Sequence, residues 1–432
     1  MIYAIFESLF ETGKLAVFKN ISSRTLFAFV TAFFLSLIIG RPLINALYRH
    51  GCRSPERDYS EINTKKRTPM MGGILIFITG IGSALLWCDL ENPFIWALLA
   101  SAVWFTVVGF YDDYQKIKGK DADAGLSRLK KFGLECAFGL GLAYFILGYN
   151  NSPLPANLAQ YFQLPFFKDL LIPSWEFLIG LILLVSVIGI LIALYCVTKG
   201  FSRFAKFIVP KWIIIIMAIG SPIGIFLLYP GTSPCSADWV SCIASYILII
   251  GLIVYSTNAV NYTDGMDGLV IVPSVFVYIV LGVFAYILGH KNNAQYLLYE
   301  YIPKSGEIAV FCGAIVGAGI GFLWFNSHPA EVFMGDTGSL FLGGTMGTAA
   351  VLIRQEVVVF LIAGAIFGIE FFSSVIQDYL GIKTLNRRIF FYRTPLHDHF
   401  KHQGMAEAKI VTRFWIISAI MAALALITIK LR

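Results

Sequence analysis

The chain has 432 residues, of which 57% are hydrophobic and only 14% are charged, and its net charge is +7. This composition excludes a soluble globular protein, and long uninterrupted apolar runs exclude the alternating pattern of a transmembrane β-barrel. The positive charge fits residues beside membrane spans, which set orientation and attract anionic headgroups, so no nucleic acid partner is expected.

Apolar runs of about 18 or more residues recur from end to end, and each is long enough to cross a hydrocarbon core about 30 Å thick. They predict an all-α fold, a polytopic transmembrane helix bundle of about 12 spans in one domain, 1–432. The predicted spans are 25–47, 71–88, 93–111, 131–148, 175–198, 211–229, 239–260, 268–289, 307–325, 339–353, 357–378 and 412–429.

The uneven distribution of Lys and Arg predicts the orientation. Four loops, 49–70, 112–131, 199–211 and 379–411, carry 22 of the 33 Lys and Arg residues. Cytoplasmic loops are enriched in these residues, so we expect the four loops inside the cell and both termini in the periplasm. The even number of spans agrees with this orientation. Every unusual polar motif then lies on the cytoplasmic face.

A polar stretch interrupts the apolar run near the middle of the chain. Amides and carboxylates follow at every third position, at Asn258, Asn261, Asp264 and Asp267. A carboxylate at membrane depth costs about 2.5–3.5 kcal/mol on insertion scales, so the two acids need a compensating partner. Gly265 and Gly268 follow them and allow close approach to a ligand. The alternative interpretation is a polar loop that only caps a helix.

Two further motifs place carboxylates beside the membrane. Asp112 and Asp113 repel each other unless a cation or proton relieves them, so a divalent metal or a base acting on phosphate fits better than a solvated helix end. Asp336 lies between glycines just before a predicted helix, where backbone N–H groups can bind phosphate and the carboxylate can bind Mg²⁺. Phe333, three residues upstream, fits either stacking on a planar base or simple packing.

Two basic motifs complete the set. Residues 65–67 are three cations that precede Thr68-Pro69 and a glycine pair, and this pattern suits an anionic ligand. The alternative interpretation is a helix that begins at Pro69 beside positive residues of a cytoplasmic loop. His397, His399 and His402 lie in a basic loop, where imidazoles suit phosphate-rich substrates better than zinc. Acids for Mg²⁺ and bases for phosphate on one membrane face predict transfer chemistry on a phosphorylated substrate.

The order of these motifs resembles the phospho-N-acetylmuramoyl-pentapeptide transferase family. The motifs are Thr68-Pro69 with Met71-Gly72-Gly73, Asp112-Asp113-Tyr114 with Lys116, 258–269, 333–340, Pro395-Leu396-His397 with His399-Phe400, and 411–417. The resemblance implies transfer of phospho-MurNAc-pentapeptide from UDP-MurNAc-pentapeptide to undecaprenyl phosphate, with Mg²⁺ as cofactor, giving lipid I and UMP. It also implies peptidoglycan synthesis, a homodimer, and a place in the lipid bilayer of the bacterial inner membrane.

The resemblance also assigns roles to residues. Asp112 would be the base acting on the lipid phosphate, Asp113 its acidic neighbour, and Asp336 the Mg²⁺ ligand. The residues expected around the substrate are Lys65, Lys116, Asn258, Asn261, Asp264, Asp267, Asn326, Phe333, His397 and His399, with Phe333 against uracil. A two-step mechanism with an aspartate as covalent nucleophile stands open beside direct attack by the lipid phosphate.

The chain departs from the family pattern at several positions. Asp398 replaces the central histidine of a three-histidine motif, and Lys401 replaces the usual Glu, so the two charge reversals together could preserve local balance. Met70 stands where the family usually has Thr. The family usually has ten spans, and we therefore interpret 175–235 as an inserted two-span segment at the periphery of the bundle.

Two other classes compete with this interpretation. A related transferase that uses UDP-GlcNAc and undecaprenyl phosphate is the nearest alternative, although the 258–269 and 395–400 motifs favour the muramoyl enzyme. An ion-coupled secondary transporter would carry its acids near mid-span and contain inverted repeats. Here the acids lie at span ends and no repeat is evident, so a transporter is a distant alternative, and a non-catalytic lipid-binding scaffold is more distant still.

Overall fold

The computed structural model describes residues 16–52, 68–119, 124–148, 152–159, 161–164, 167–182, 238–378, 382 and 393–431, and these residues are mostly helical. A 3₁₀ turn at Ala16–Lys19 precedes the first helix, and a π-helical segment occupies Val358–Ala363. The α-helices are α1 Ile21–Arg49, α2 Gly73–Trp87, α3 Pro93–Gly119, α4 Arg128–Leu147, α5 Ala156–Ala159, α6 Asp238–Thr263, α7 Ile271–Leu288, α8 Lys291–Tyr296, α9 Glu307–Asn326, α10 Gly335–Leu352, α11 Ala365–Val375, α12 Leu396–His402 and α13 Glu407–Ile427.

The helical membrane architecture agrees with the composition. Within the described residues, six helices (α1, α3, α6, α7, α9 and α13) are long and apolar enough to cross a membrane. The shorter α2 and the helices α4 and α10 also occupy predicted spans. The span at 211–229 lies outside the described residues, and the span at 175–198 is described only to residue 182. The total of 12 spans, the inserted segment and the periplasmic termini stay predictions.

The predicted span at 357–378 is not one regular α-helix. Its first part is π-helical, and Gly364 N–H donates a 2.7 Å hydrogen bond to Val359 O, five residues earlier. The α-helical geometry resumes at Ala365. Such π segments interrupt the regular hydrogen-bond ladder, and this one ends seven residues before the buried Glu370 of α11.

A small β-hairpin was not predicted. Tyr161–Leu164 and Phe167–Pro173 pair antiparallel, with Tyr161 opposite Pro173 and Leu164 opposite Phe167, and the register shifts between Gln163 and Leu164. The all-α expectation therefore holds for the bundle but misses this hairpin. The two strands are too short for their hydropathy pattern to be distinguished from that of residues at the end of a membrane span.

Helix α9 lies at the centre of the bundle because small residues line one of its faces. Gly313, Gly317 and Gly321 follow at four-residue intervals, and a Cβ at any of them would overlap an atom of α1. Small residues at this spacing let two helix backbones approach closely in a membrane. Helix α9 also packs against α2 and α7.

Helix α10 forms the second central element. It packs against α3 and α6 and also against α2. Except for its first two residues, the helix is buried throughout. Because α3 and α6 end where α10 begins, three polar segments that are distant in sequence meet at one end of the bundle.

The opposite end of α1 and α9 carries a buried ion pair. Arg24 donates to both carboxylate oxygens of Glu307, at 2.8 and 2.5 Å, and also to Trp87 O at 3.3 Å. The Asp89 N–H donates to the same carboxylate at 3.0 Å. The side chains are 4% and 9% exposed, so this pair ties α1, the end of α2 and the start of α9 together away from water.

We expect Glu307→Ala to lower the free energy of unfolding by about 3–5 kcal/mol, because removing one partner leaves the Arg24 charge buried and unpaired. The measurement is thermal or denaturant unfolding of the detergent-solubilised protein. Glu331→Ala is the matched control, since Glu331 pairs with Arg41 at a site where the side chains are 41% and 64% exposed. Exposed pairs contribute about 0–1 kcal/mol. Equal losses in the two variants would contradict this prediction.

Candidate active site

Asp113 anchors the start of α10. Its Oδ1 accepts a hydrogen bond from the Asp336 N–H at 3.0 Å. Its Oδ2 accepts from the Thr337 N–H at 2.9 Å and from the Thr337 hydroxyl at 2.6 Å. The first N–H groups of a helix lack intrahelical partners, and a carboxylate is their preferred acceptor. A completely buried side chain of α3 therefore caps α10 from another helix.

Asp336 lies next to this cap with a set of polar partners around its carboxylate. Lys131 Nζ donates to Oδ2 at 2.8 Å, and Lys116 Nζ lies 3.1 Å from the same oxygen. Asn261 donates its side-chain N–H to Oδ1 at 2.9 Å. Burial alone would raise the pKa of Asp336, but Lys131 and Lys116 outweigh burial and hold that pKa well below its usual range. Asp336 is therefore ionised across the physiological pH range.

Asp112 completes the cluster from the buried side of α3. Lys116 Nζ lies 2.6 Å from its Oδ2, and the Leu126 N–H donates to its Oδ1 at 2.7 Å. The side chain is nearly fully buried. The structure thus brings together Asp112, Asp113 and Asp336, the three predicted catalytic residues, although residue 336 is more than 200 positions away in sequence.

The three carboxylates fit a hard divalent cation. One oxygen from each lies within 4.8 Å of the others. Mg²⁺ usually takes one or two protein carboxylates, several waters and substrate phosphates. Backbone and hydroxyl donors of α10 hold both oxygens of Asp113, whereas lysine side chains contact Asp112 and Asp336, so Asp336 is the carboxylate best placed as a ligand, with Asp112 beside it. Two lysines near the same oxygens also suit a phosphate substrate.

A second buried acid lies on α4, the helix that also carries Lys131. Glu135 is one helical turn after Lys131 on α4, and only 1% of its surface is exposed. Asn258 donates to Glu135 Oε2 at 2.7 Å and to Val254 O at 2.9 Å. Asn258 was predicted near the nucleotide, and that role stays a prediction; its bond to Glu135 connects α6 to α4.

Asn326 and Phe333 hold loops together at the same end of the bundle. The Asn326 amide donates to Val332 O at 2.8 Å, and its oxygen accepts from the Gly268 N–H at 2.9 Å. The Phe333 N–H donates to Pro69 O at 2.9 Å, and its carbonyl accepts from the Gly72 N–H at 2.8 Å. These bonds bring the 68–73, 264–268 and 326–334 segments together. The Phe333 ring is half-buried.

The two acids of the central motif lie near different partners. Asp264 is half-buried. Asp267 is buried, and its Oδ2 lies 3.0 Å from His328 Nδ1 and accepts from the Ala330 N–H at 3.3 Å. Glu407 lies close enough to this pair to form a candidate metal cluster, but Lys401 Nζ is already 2.5 Å from Glu407 Oε1. The ammonium group balances this cluster without a metal.

The histidines of the 395–400 motif are not equivalent. His397 is buried, and its Nδ1 lies 3.0 Å from Glu370 Oε2. His399 is half-buried and contacts Gln403 through Nε2 at 3.0 Å. Lys65, the remaining predicted residue, lies outside the described residues.

Four side chains of this region were not predicted as site residues: Lys131, Glu135, Thr337 and Glu370. Glu135 and Glu370 are isolated acids within apolar helices, and that isolation is a usable signal, because a buried acid requires a partner. Lys131 was counted only as an orientation charge. Its contact with Asp336 depends on the packing of α4 against α6 and cannot be read from spacing.

One comparison with known proteins bears on this site. Residues 175–354 match the family model described as glycosyl transferase family 4. The match supports the superfamily of polyprenyl-phosphate sugar-1-phosphate transferases. It covers less than half of the chain, and it includes the central motif and Asp336 but neither Asp112 nor His397. A transferase that moves a sugar phosphate onto a polyprenyl phosphate accords with the carboxylates and lysines at the C-terminal end of α3.

The close approach of α3 to α10 gives a stability prediction. A Cβ at Gly109 would overlap the carbonyl oxygen of Asp336. Overpacking of this kind costs about 1–3 kcal/mol, so we expect Gly109→Ala to lower the unfolding temperature. Gly141→Ala is the control, because Gly141 is an exposed helical glycine with open space around it and should gain up to about 1 kcal/mol. Equal stability of the two variants in thermal unfolding would refute the close α3–α10 contact.

Proposed function

We propose that the protein transfers phospho-MurNAc-pentapeptide from UDP-MurNAc-pentapeptide to undecaprenyl phosphate, forming lipid I and UMP. The observation that carries the proposal is the cluster of Asp112, Asp113 and Asp336 with Lys116 and Lys131 at the end of α3. The order of the sequence motifs supports the muramoyl substrate within the wider superfamily.

The reaction forms one bond and breaks one. An oxygen of the lipid phosphate attacks the sugar-linked phosphorus of the UDP sugar, and the bond from that phosphorus to the bridging oxygen breaks as UMP departs. Asp112 would take the proton of a protonated lipid phosphate, and Asp113 would hold α10 and Asp336 in register. A two-step path through a covalent aspartate stays open beside this direct attack.

Charge complementarity supports the location of the reacting groups. Lys116 and Lys131 place two ammonium groups around one carboxylate, and the same groups can bind oxygens of a diphosphate. Asp336 would hold Mg²⁺, which leaves Asp112 to act as the base. When bound there, Mg²⁺ neutralises negative charge on the diphosphate and the leaving UMP. Asp264, Asp267, Phe333 and His399 would surround the nucleotide.

An apolar groove supports a lipid as the acceptor. A cavity of about 630 Å³ follows the outer face of α3 towards Tyr111, the residue before Asp112, and almost all of its lining is apolar. Its walls include Trp96, Val103, Trp104, Tyr111, Leu126 and Leu134. A polyprenyl chain in the membrane can approach the acids from this side without crossing a polar surface.

The proposed setting follows from the substrates. An enzyme that joins a nucleotide-linked precursor to a lipid needs its site on the cytoplasmic face of the bacterial inner membrane. It would act there as a homodimer in the first membrane step of peptidoglycan synthesis, and so contribute to cell wall biogenesis, cell shape and cell division.

The test of the proposal is release of UMP by the purified protein in detergent with Mg²⁺, undecaprenyl phosphate and UDP-MurNAc-pentapeptide. We expect turnover that stops when EDTA removes the metal. Asp336→Asn should lower kcat/KM at least about 100-fold, because it removes a charge at the reacting diphosphate.

A control variant and a second substrate make this test specific. Glu91→Gln is the matched control and should keep full activity, since Glu91 is an exposed acid near Asp89, at the end of the bundle opposite the candidate site. Turnover of UDP-GlcNAc alone would replace the muramoyl enzyme by the related transferase. No turnover of either sugar nucleotide would reject the transferase proposal.

The pairing of Lys131 with Asp336 gives a second prediction. We expect Lys131→Met to raise KM for UDP-MurNAc-pentapeptide at least about tenfold, because it removes a charge-assisted contact to the diphosphate. Lys130→Met is the control, because Lys130 is the adjacent lysine and points to solvent. A similar KM in both variants would mean that Lys131 only balances Asp336. Steady-state kinetics with varied nucleotide substrate measure the difference.

A further inference from the structure

A buried carboxylate–imidazole pair lies beside the proposed nucleotide site. Glu370 of α11 is completely buried, and it contacts His397 of α12 with both oxygens. Oε1 accepts from the His397 backbone N–H at 3.1 Å, and Oε2 lies 3.0 Å from His397 Nδ1. Two contacts to one residue fix both the start of α12 and the plane of the imidazole.

The contact with Glu370 fixes the orientation of the ring. Because Nδ1 lies at hydrogen-bond distance from Glu370 Oε2, Nε2 is directed away from Glu370. On that other side, Asp398 Oδ1 lies 3.8 Å from Nε2. The imidazole is therefore held between two carboxylates.

The same ring supports the central loop. A Cβ at Gly265 would overlap His397 Nε2, and the ring atoms on both sides of Nε2 would also be too close. Gly265 follows Asp264, and Asp267 lies two positions further on. The loop that carries both acids therefore rests directly on the imidazole, and only glycine fits at the contact.

The burial of His397 determines how it can act. Its side chain is 2% exposed, so the loop separates the ring from a nucleotide bound above it. Gly265 contacts the ring, and the same loop carries Asp264 and Asp267. The sequence resemblance placed His397 against the substrate, whereas this geometry places it under the residues that would contact the substrate.

We propose that Glu370 and His397 form a buried support that positions the 264–268 loop for nucleotide binding. Both are positioning residues, and the inference rests on the proposed function only for its kinetic consequence. Loss of the two Glu370 contacts releases the ring, and the ring in turn releases the loop. Ground-state binding of the nucleotide should then weaken while the chemical step at Asp112 and Asp336 is preserved.

The first experiment measures the loop without using activity. Hydrogen–deuterium exchange of the full-length protein in detergent is compared between wild type and Glu370→Gln. We expect amides of the 261–270 segment to exchange at least fivefold faster in the variant, with no change in α9. Unchanged exchange in 261–270 overturns the proposal. If Glu370→Gln does not fold, Glu370→Asp is measured in its place with the same expectation, because its shorter side chain cannot make both contacts with His397.

Ser374→Ala is the matched control. Ser374 lies one turn after Glu370 on the same helix, is buried, and its hydroxyl has no hydrogen-bond partner within the described part of the chain. This variant should leave exchange in 261–270 unchanged. Faster exchange in both variants would mean that any disturbance of α11 loosens the loop, and it would overturn a specific role for Glu370.

The second experiment separates binding from chemistry. We expect Glu370→Gln and His397→Asn to raise KM for UDP-MurNAc-pentapeptide at least fivefold while kcat stays within threefold of wild type. A fall in kcat with unchanged KM would place His397 in the chemical step and overturn the proposal. If wild type itself shows no turnover, the proposed function fails, whereas the exchange result still decides whether the support exists.

Discussion

The site depends on one interaction, the capping of α10 by Asp113 of α3. Three hydrogen bonds reach this carboxylate from Asp336 and Thr337, and water has no access to it. An unpaired carboxylate at this depth would be strongly unfavourable, so the ends of the two helices cannot move independently. The position of the Asp336 side chain relative to Asp112 is therefore set by the helices and not by a flexible loop.

The charge balance of the cluster follows from that constraint. Asp113 is satisfied by backbone and hydroxyl donors of α10, which leaves Asp112 and Asp336 to be balanced by Lys116 and Lys131. Each lysine ammonium group therefore already lies against a carboxylate before substrate arrives. In the proposed reaction a diphosphate would take the ammonium groups, which would leave Asp336 to bind Mg²⁺ and Asp112 to act as the base.

The sequence predicts the parts of this site more completely than their contacts. Hydropathy locates the helices, and isolated polar residues at span ends identify Asp112, Asp113, Asn261 and Asp336. The sequence does not reveal that Asp113 caps a helix, because that role requires contact between α3 and α10, which are more than 200 residues apart in the chain. Glu135 and Glu370 were not predicted as site residues for a related reason. Each lies within an apolar run, and its partner is known only once the helices are packed.

The two charge reversals near the histidines illustrate the same limit. In the sequence, Asp398 and Lys401 resemble a compensating exchange between neighbours. In the structure each has its own partner, since Lys401 pairs with Glu407 of α13 and Asp398 faces the buried ring of His397. An acid at 401 would lie against Glu407 and near Asp267, so a lysine there relieves repulsion at the base of α13. Asp398 places its carboxylate on the Nε2 side of the imidazole, where the 264–268 loop also packs. The two positions therefore adjust two separate contacts, one holding α13 and the other holding the central loop.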